Sequence, residues 1–431
     1  MKHTLLQIAL DFIDLPRAIT VAKEAVNAGC DIIEIGTPLI KSEGMNAIRK
    51  IKSVLPNNIK ILADMKTMDV GRVEVEMAAK SGADIVGILG ASNIETIKES
   101  IKAAKNYGCK IIVDMIEVKD LIKRVKEIEK LCPDYFGIHI PIDEQMKGKT
   151  SFHQLKQVKS VTKIPVSIAG GINSETVVNA INSGADIVVV GGAITKSQNV
   201  TKSVKEIKSA MTKKIKIKTT LYKRVVERNE IKNVLMKVST ANVSDAMHRA
   251  LPIIDLKPLL ENMKLAGPVV TVRTYPGDWA KPVQAIDVAN KGDVIIIDSG
   301  GSAPAVWGEL ATNSALKKKL AGVIIWGGIR DTEDIKKLRF PSFAKVITPQ
   351  AGEPKGFGEI NVPITISGIK IFPGDWVIAD NDGIVIIPKE ELVEITNRAM
   401  DVLERENRLR KEISDGSTLA QTAYLSKWEK K

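Results

Sequence analysis

A cluster of charged residues follows a short apolar segment early in the chain. The sequence Asp64-Met-Lys-Thr-Met-Asp69 comes directly after the apolar run 59–63. Two carboxylates and one ammonium at the end of a buried strand are costly to desolvate unless they pair or bind a metal and a substrate. A solvated loop with a surface ion pair would explain this segment alone. Polar residues also follow other apolar runs of the first half, which favours a shared site.

Eight apolar runs bounded by turn residues recur through the first half of the chain, and each has the length of a β-strand. They lie at residues 4–10, 31–35, 60–63, 84–89, 110–113, 135–138, 165–168 and 186–190. Lysine- and glutamate-rich stretches with helical periodicity, such as 93–106 and 120–131, lie between them. This alternation predicts an α/β fold, specifically an N-terminal (β/α)8 barrel.

A short internal repeat supports a barrel. Ala28-Gly-Cys-Asp-Ile-Ile, Ser81-Gly-Ala-Asp-Ile-Val and Ser183-Gly-Ala-Asp-Ile-Val lead into the second, fourth and eighth predicted strands. Cys132-Pro-Asp-Tyr-Phe, a weaker copy, leads into the sixth. A repeat at every second strand is typical of a barrel built from duplicated βαβ units.

The active sites of such barrels lie at the carboxyl ends of the strands. The charged residues and glycines found at those ends are Asp11, Glu34, Asp64, Lys66, His139, Gly170, Gly171, Gly191 and Gly192. A single aspartate there is more often a turn or helix cap, but the shared position of these residues favours catalysis. The glycine pairs follow the seventh and eighth strands, where backbone amides of such barrels usually hold a phosphate.

The first half resembles 3-hexulose-6-phosphate synthase, a family of the orotidine-monophosphate-decarboxylase superfamily. The matching segments are Ala9-Leu-Asp11, Glu34-Ile-Gly-Thr-Pro38, Asp64-Met-Lys-Thr-Met-Asp69, Ala169-Gly-Gly-Ile172 and Val190-Gly-Gly-Ala-Ile194. The resemblance covers residues 1 to about 210, with one departure at His139-Ile-Pro, where the family usually has His-x-Gly. The related keto-gulonate-phosphate decarboxylases are the alternative to a synthase. They are expected to carry an arginine near Ala193, and this chain has none there.

The resemblance implies an aldol addition of formaldehyde to D-ribulose 5-phosphate, giving D-arabino-hex-3-ulose 6-phosphate, or its reverse. The reaction passes through an enediolate, which needs positive charge beside its oxygens. Glu34 and Asp64 offer the hard oxygen ligands that suit Mg²⁺ or Mn²⁺. By resemblance, Lys66 stabilises the enediolate oxygen.

Three further roles follow from the same resemblance. His139 would be the acid/base, since its ordinary pKa lies near neutral pH. Asp11 would position the substrate hydroxyls. Asp69 would reach into the site of a neighbouring subunit, so a dimer is expected.

Whole-chain composition limits the function classes. The net charge of +12 suggests nucleic acid, but aromatic residues make up only 4% of the chain, so platforms for stacking bases are scarce. No apolar run is long enough to span a membrane, and the amino terminus lacks a cleavage site. Cys30, Cys109 and Cys132 show no paired spacing, so a reducing cytoplasm is expected.

The pattern changes after residue 212. A basic linker is predicted at 213–222, which separates a first domain, 1–212, from a second, 223–431. The second domain shows clustered strands at 269–272, 293–298, 322–326, 344–348, 364–366, 376–379 and 383–387, then a long helix near 389–413. This predicts a C-terminal mixed α/β sandwich.

Two motifs of the second domain could bind an anion and a metal. A glycine-rich turn runs from Asp298 to Glu309, and Gly327-Gly-Ile-Arg-Asp331 follows another apolar strand. Each motif alone is more often an ordinary loop. Together, at this spacing, they resemble the family of 4-hydroxy-4-methyl-2-oxoglutarate aldolases and the regulator of ribonuclease activity A, over roughly 225–400.

This second resemblance implies a site for a 2-oxo acid. Arg330 would grip its carboxylate and enolate oxygen, for which a planar fork suits better than lysine. Asp331 would bind Mg²⁺ directly, and Glu309, where many members have aspartate, would act through the waters of the metal. The amides of Gly301, Ser302 and Ala303 would hold the carboxylate. A regulatory binding module with a non-catalytic site remains equally compatible, and assembly beyond a dimer is expected of this domain.

Overall fold

The computed structural model describes residues 4–219, 221, 223–423 and 425. The chain forms two compact units. The first comprises Met1–Gln145, Lys149–Lys223 and Glu404–Lys431, and the second comprises Met146–Gly148 and Arg224–Leu403. The units therefore differ from the predicted domains chiefly at the carboxyl terminus, where residues 404–431 group with the first unit. Of the predicted segments, residues 1–3, 220, 222, 424 and 426–431 lie outside the described residues.

The first unit contains a closed barrel of parallel strands that pair in chain order. The strands are β1 (Leu5–Leu10), β2 (Ile32–Ile35), β3 (Lys60–Thr67), β4 (Ile85–Leu89), β5 (Lys110–Asp114), β6 (Tyr135–His139), β7 (Val166–Ala169) and β8 (Ile187–Val190). The predicted (β/α)8 barrel is confirmed. Seven of the predicted strands end within one residue of the observed ones, but β3 runs four residues past its predicted end at Ala63.

Helices follow the barrel strands. They are α1 (Leu15–Asn27), α2 (Thr37–Glu43), α3 (Asn46–Val54), α4 (Gly71–Lys80), α5 (Ile94–Tyr107), α6 (Leu121–Glu129), α7 (Ile142–Met146), α8 (Phe152–Lys159), α9 (Val177–Asn182), α10 (Gly192–Thr195) and α11 (Val200–Lys213). Their apolar faces bury the outer side chains of the strands in one continuous core. The amphipathic periodicity of the sequence is the reason for this packing.

The internal repeat has a structural function at the amino-terminal end of the barrel. Each repeated aspartate precedes an even-numbered strand and accepts a hydrogen bond from a backbone amide at the start of the preceding odd-numbered strand. The pairs are Asp31 with Leu6 (2.8 Å), Asp84 with Ile61 (2.8 Å), Asp134 with Ile111 (2.9 Å) and Asp186 with Val166 (2.9 Å). The repeat therefore sets the register between neighbouring strands, at the end of the barrel opposite the predicted site.

The segment predicted as a linker contacts the barrel. Lys213 is the last residue of α11. Ser174, in the loop after β7, makes two hydrogen bonds with Ile217: its carbonyl accepts the Ile217 amide at 3.1 Å, and its hydroxyl donates to the Ile217 carbonyl at 2.8 Å. The amide of Thr219 donates to the Glu175 carboxylate at 2.9 Å. Residues 213–219 are therefore attached to the first unit.

The second unit is built on one mixed sheet in the order β19-β18-β10-β11-β13-β14-β9. Its strands are β9 (Lys257–Pro258), β10 (Leu265–Arg273), β11 (Val294–Asp298), β12 (Ala305–Trp307), β13 (Gly322–Ile329), β14 (Ser342–Ile347), β15 (Glu359–Ile360), β16 (Ile364–Ile366), β17 (Ile369–Ile371), β18 (Trp376–Asp380) and β19 (Gly383–Ile387). Its helices are α12 (Arg228–Leu235), α13 (Thr240–Ala246), α14 (Ala280–Val288), α15 (Glu309–Lys318) and α16 (Thr332–Leu338). The chain ends in α17 (Leu392–Ser414) and α18 (Leu419–Thr422).

The predicted mixed α/β character of this unit is confirmed. One face of the sheet packs against helices, and the other carries a separate apolar cluster that includes the β16–β17 hairpin. The second layer expected of a sandwich is thus only a two-stranded sheet. The short strands β9, β12, β15 and β17 were not predicted, because runs of two or three residues seldom show a readable periodicity.

Within the described residues, no helix is long and apolar enough to cross a membrane. All three cysteines are free: Cys30 is buried, Cys109 is half-buried and Cys132 is exposed.

Candidate active site

The barrel interior explains why carboxylates meet at one rim. An apolar layer inside the barrel is formed by Ile32, Leu62, Ile85, Ile112 and Ile187. Side chains alternate along a strand, so the residue two positions further on points to the same side. Those positions hold Glu34, Asp64, Gly87 and Asp114 on β2 to β5. The strand pattern therefore places three carboxylates directly above an apolar floor, at the carboxyl ends of the strands.

Lys66 is the centre of a charged network on this rim. Its Nζ lies 3.0 Å from Asp64 Oδ2 and 3.1 Å from Asp114 Oδ2. The same oxygen of Asp114 lies 3.7 Å from Nδ1 of His139. The other Asp114 oxygen accepts the amide of Ile116 at 3.0 Å. Four strand-end residues from β3, β5 and β6 are thus held in one cluster.

The backbone of β3 is irregular where it presents Lys66. The pairing register with β4 shifts between Ala63 and Thr67, and Lys66 has φ 48°. A non-glycine residue in the left-handed region is uncommon and tends to occur at functional sites. The extension of β3 beyond its predicted end includes this irregular segment, and both Asp64 and Lys66 face the cluster from it.

The surrounding charges set the pKa of Lys66 and of Asp114. Burial lowers the pKa of Lys66, but the carboxylates of Asp114 and Asp64 outweigh burial and raise it overall. Burial raises the pKa of Asp114, but hydrogen bonding to His139 and the charge of Lys66 lower it below its ordinary value. Lys66 is therefore a cation and Asp114 a carboxylate at neutral pH.

The carboxyl groups of Glu34 and Asp11 have raised pKa values, in contrast to that of Asp114. Burial raises the pKa of Glu34 well above its ordinary value, and the charges of Asp64 and Asp11 raise it further. Burial and the charge of Asp64 likewise raise the pKa of Asp11. Glu34 Oε2 accepts one hydrogen bond from Gln7 at 2.6 Å. Repelling carboxylates in a buried site are the setting in which a divalent cation is stabilising.

The donor set fits a hard divalent cation held partly by waters. Glu34 and Asp64 provide carboxylate oxygens, and Mg²⁺ commonly binds through one or two carboxylates while it keeps several waters. In the part of the chain that the structure describes, no group of three or more His, Cys, Asp or Glu side chains is arranged to hold a metal by itself. A site of this kind would therefore be completed by water or by substrate oxygens.

Two glycines leave room for Asp11. A Cβ at Gly36 would lie 2.2 Å from Asp11 Oδ1, which is a clash. A Cβ at Gly191 would lie 3.3 Å from Asp11 Oδ2, a tight contact. The absence of side chains at these positions therefore allows the Asp11 carboxylate to lie between the ends of β2 and β8.

The predicted phosphate glycines lie on the same rim. Gly170 and Gly171 follow β7 in left-handed conformations, with φ 103° and 69°. Gly191 and Gly192 follow β8, and Gly192 begins α10. Their positions agree with the sequence prediction, and their role in binding a phosphate stays a prediction.

Asp69 does not join the cluster within its own chain. It is exposed, and its Oδ1 accepts the amide of Val70 at 2.7 Å. Three apolar side chains close to it in the chain, Met68, Val70 and Val73, are exposed to 54%, 57% and 48%. An exposed apolar patch of this kind is expected where a surface binds another subunit, which agrees with the role predicted for Asp69.

Sequence analysis missed Asp114, Gln7 and Thr37. Asp114 follows the predicted strand 110–113 directly, so the rule that found the other rim residues would have found it. Gln7 lies inside β1 and bonds Glu34. Thr37 begins α2, and its hydroxyl donates to Asp64 Oδ2 at 2.8 Å. Both contacts join residues 27 positions apart in the chain. Thr37 lies in the family-like segment 34–38, which gave it no role, and Gln7 has no sequence signal.

The second unit brings together part of its predicted site. Asp331 Oδ2 accepts the amide of Glu309 at 3.2 Å and lies 3.5 Å from Nε of Arg330. A Cβ at Gly308 would lie 2.6 Å from that same oxygen, so glycine is needed for this approach. Arg330 and Asp331 have side chains 42% and 38% exposed, and both are accessible to a ligand.

The glycine-rich turn of the second unit is arranged differently from the prediction. The amide of Gly301 donates to the carbonyl of Trp326 at 3.1 Å, so this predicted carboxylate donor is already engaged. Ser302 is exposed and Ala303 is half-buried. The ammonium of Lys345 lies 3.7 Å from the centre of the Trp326 ring, beside Gly301, and it was not predicted.

Comparisons with known proteins match two separate parts of the chain to two different families. Residues 4–207 match the family model described as Orotidine 5'-phosphate decarboxylase / HUMPS family. Residues 240–386 match the model described as RraA-like: Aldolase/RraA.

Individual relatives match each half. A 3-hexulose-6-phosphate synthase of Bacillus subtilis is 42% identical over 204 residues, which is 47% of this chain and 96% of that protein. The crystal structure of 3-hexulose-6-phosphate synthase from Salmonella typhimurium is 37% identical, with a TM-score of 0.47, and covers 49% of this chain and 99% of that one. The structure of the RNA-processing inhibitor RraA from Thermus thermophilis is 31% identical, with a TM-score of 0.33, and covers 35% of this chain and 92% of that one.

The chain therefore belongs to the orotidine 5'-phosphate decarboxylase / HUMPS family through residues 4–207 and carries a fused RraA-like domain over residues 240–386.

Proposed function

We propose that the first unit is a 3-hexulose-6-phosphate synthase, which joins formaldehyde to D-ribulose 5-phosphate or catalyses the reverse cleavage. The observation that carries the proposal is the network of Asp64, Lys66, Asp114 and His139 on the rim of the barrel. The relatives over this half that bear the synthase name support it.

The residues of the network suit the removal of a proton from C1 of a ketose. Nδ1 of His139 faces Asp114, which leaves Nε2 to accept the proton and later return it. The ammonium of Lys66, held between two carboxylates, stabilises the oxyanion that forms. The carbanion carbon then attacks formaldehyde, and the new alkoxide takes up a proton.

Glu34 and Asp64 are the proposed ligands of Mg²⁺ or Mn²⁺. When bound, the cation supplies positive charge for the two oxygens of the enediolate. Asp11, which lies beside Gly36 and Gly191, would hold substrate hydroxyls. Gly170, Gly171, Gly191 and Gly192 would hold the phosphate.

A dimer through the barrel is proposed for the first unit. The apolar patch of Met68, Val70 and Val73 surrounds the exposed Asp69 and supports burial of this surface against a second copy. Asp69 would then complete the site of the neighbouring subunit.

For the second unit we propose a site for a divalent metal and a small 2-oxo acid at Arg330 and Asp331. The contact of Asp331 with the Glu309 amide and the match to the aldolase/RraA model support it. The guanidinium of Arg330, whose side chain is 42% exposed, would hold a carboxylate. A regulatory binding role is the second candidate, favoured by the same family model, whose description covers both.

The direct test is formaldehyde consumption by the full chain with ribulose 5-phosphate, with and without Mg²⁺. The expected result is metal-dependent loss of formaldehyde, abolished in Lys66→Ala and retained in Asp331→Ala. If formaldehyde is not consumed while a keto-gulonate phosphate is decarboxylated, the alternative specificity is correct.

A further inference from the structure

The loop after β8 is bonded to a residue far away in the chain. The amide of Thr195, at the end of α10, donates to the carbonyl of Gly191 at 3.0 Å. The carbonyl of Thr195 in turn accepts a hydrogen bond from Nη1 of Arg408 at 3.0 Å, across 213 residues of sequence. The backbone of one residue, Thr195, therefore connects Arg408 to the glycine pair.

Arg408 belongs to the return segment, residues 404–414, which is the last part of α17 and groups with the first unit. Glu412 in the same segment lies 3.1 Å from Nη2 of Arg17 on α1 and 3.5 Å from Nε of Arg408. The three side chains are only 16–21% exposed. This ion network, with little exposure to solvent, links the return segment to α1.

The loop after β7 is held by a second segment from outside the barrel core. The exit segment comprises residues 215–219, 221 and 223, which lead towards the second unit. Within it, Ile217 makes two hydrogen bonds with Ser174. The Ile217 amide donates to the Ser174 carbonyl at 3.1 Å, and the Ile217 carbonyl accepts the Ser174 hydroxyl at 2.8 Å. Ser174 is buried, with 3% exposure.

The exit segment also contacts Glu175, the next residue of this loop. The Glu175 carboxylate accepts the amide of Thr219 at 2.9 Å and pairs with Lys223 at 2.5 Å. One residue further on, the Thr176 hydroxyl donates to the carbonyl of Gly171 at 3.0 Å. The glycine pair after β7 is therefore linked to the exit segment through three consecutive residues.

These bonds are not needed to close the barrel. Closure rests on the pairing of β1 with β8 and of β7 with β8. The exit and return segments instead contact the two loops that follow β7 and β8.

We infer that the exit and return segments position the two glycine loops for the phosphate of the substrate, with Arg408 and Ser174 as positioning residues. The inference rests on the proposed synthase function, because it assigns the phosphate to these loops. Preorganised loops bind an anion without an ordering cost, so loosening them weakens substrate binding more than it slows the chemical step.

The test uses point variants in the full chain. Arg408→Ala removes the bond to the Thr195 carbonyl, Arg408→Lys can restore it, and Arg410→Ala on the exposed face of the same helix is the matched control. Ser174→Ala removes the hydroxyl bond to the Ile217 carbonyl and leaves the backbone bond between the two residues in place. Its control is Ser160→Ala, an exposed serine whose hydroxyl donates to the carbonyl of Gln157 at the end of its own helix. The measured quantities are kcat and KM for ribulose 5-phosphate, the inhibition constant of inorganic phosphate, and amide hydrogen exchange in residues 171–176 and 191–196.

In Arg408→Ala and Ser174→Ala, KM and the phosphate inhibition constant are expected to rise about five- to tenfold, with kcat within about twofold of wild type. Exchange should accelerate in the loop that each variant touches, Arg408→Lys should recover most of the KM effect, and both controls should match wild type. Unchanged KM and exchange in an active enzyme would overturn the inference, as would a fall in kcat alone. If wild type lacks synthase activity, the proposed function fails, and the exchange data alone decide whether the segments hold the loops.

Discussion

Replacing Asp114 by asparagine is expected to disable the first unit while leaving its fold intact. The amide keeps the shape of the side chain and can still accept the amide of Ile116, but it removes the charge that lies 3.1 Å from Lys66 and 3.7 Å from His139. At 3.1 Å and an effective dielectric of about 20, the attraction lost at Lys66 is about 5 kcal/mol.

Part of that loss is compensated, because Asp64 remains 3.0 Å from Lys66. The net loss should be close to that of a hydrogen bond to a charged group, about 2–3 kcal/mol. The corresponding fall in kcat/KM is about 30- to 150-fold. The pKa of Lys66 should also fall, since the Asp114 carboxylate is the chief group that raises it. The alkaline limb of the activity profile should therefore move to lower pH.

The assay is formaldehyde consumption at saturating Mg²⁺ over a range of pH, with thermal unfolding as a check on the fold. Asp134→Asn is the matched control, because this aspartate lies at the opposite end of the barrel and accepts only a strand amide in the described contacts. A kcat/KM for Asp114→Asn within twofold of the control would refute the argument that the network is catalytic.

Three further predictions concern stability, assembly and the second unit. Asp84→Asn should destabilise the first unit by about 1 kcal/mol at neutral pH. Burial raises the pKa of Asp84, but its contacts with lysines and with a backbone amide lower it overall. The stabilisation from Asp84 is therefore present above the pKa of the unfolded state and is lost as the pH falls through the lower pKa of the folded state. A difference in denaturant midpoint between wild type and Asp84→Asn that does not narrow in acid would contradict this. Mixing inactive Asp69→Ala with inactive Lys66→Ala protein should recover part of the activity, and no recovery in proven hybrid dimers would exclude shared sites. Calorimetric titration of oxaloacetate with Mg²⁺ should show binding that Asp331→Ala abolishes and Arg330→Lys weakens, without loss of aldol activity; no binding by wild type would favour a regulatory module.

The sequence by itself determined the barrel and most of its rim. Strand-helix alternation and the strand-end positions of Asp11, Glu34, Lys66 and His139 are local features, and the closed barrel brings them to one edge whatever the details of packing. The repeated aspartates were also visible as a pattern. That they accept strand amides and so set the register between neighbouring strands was not visible. Local periodicity suffices for these conclusions because it fixes which side of a strand or helix each residue faces.

Only the tertiary structure decided how the charges pair and what holds the loops. The sharing of Lys66 between Asp64 and Asp114 depends on an irregular β3 backbone that no sequence period predicts. The hydrogen bond from the Gly301 amide to the Trp326 carbonyl depends on how the sheet of the second unit folds. The return of Arg408 to the loop after β8 joins residues 213 positions apart. Such contacts are set by the packing of whole elements, and the sequence on either side carries no local signal of them.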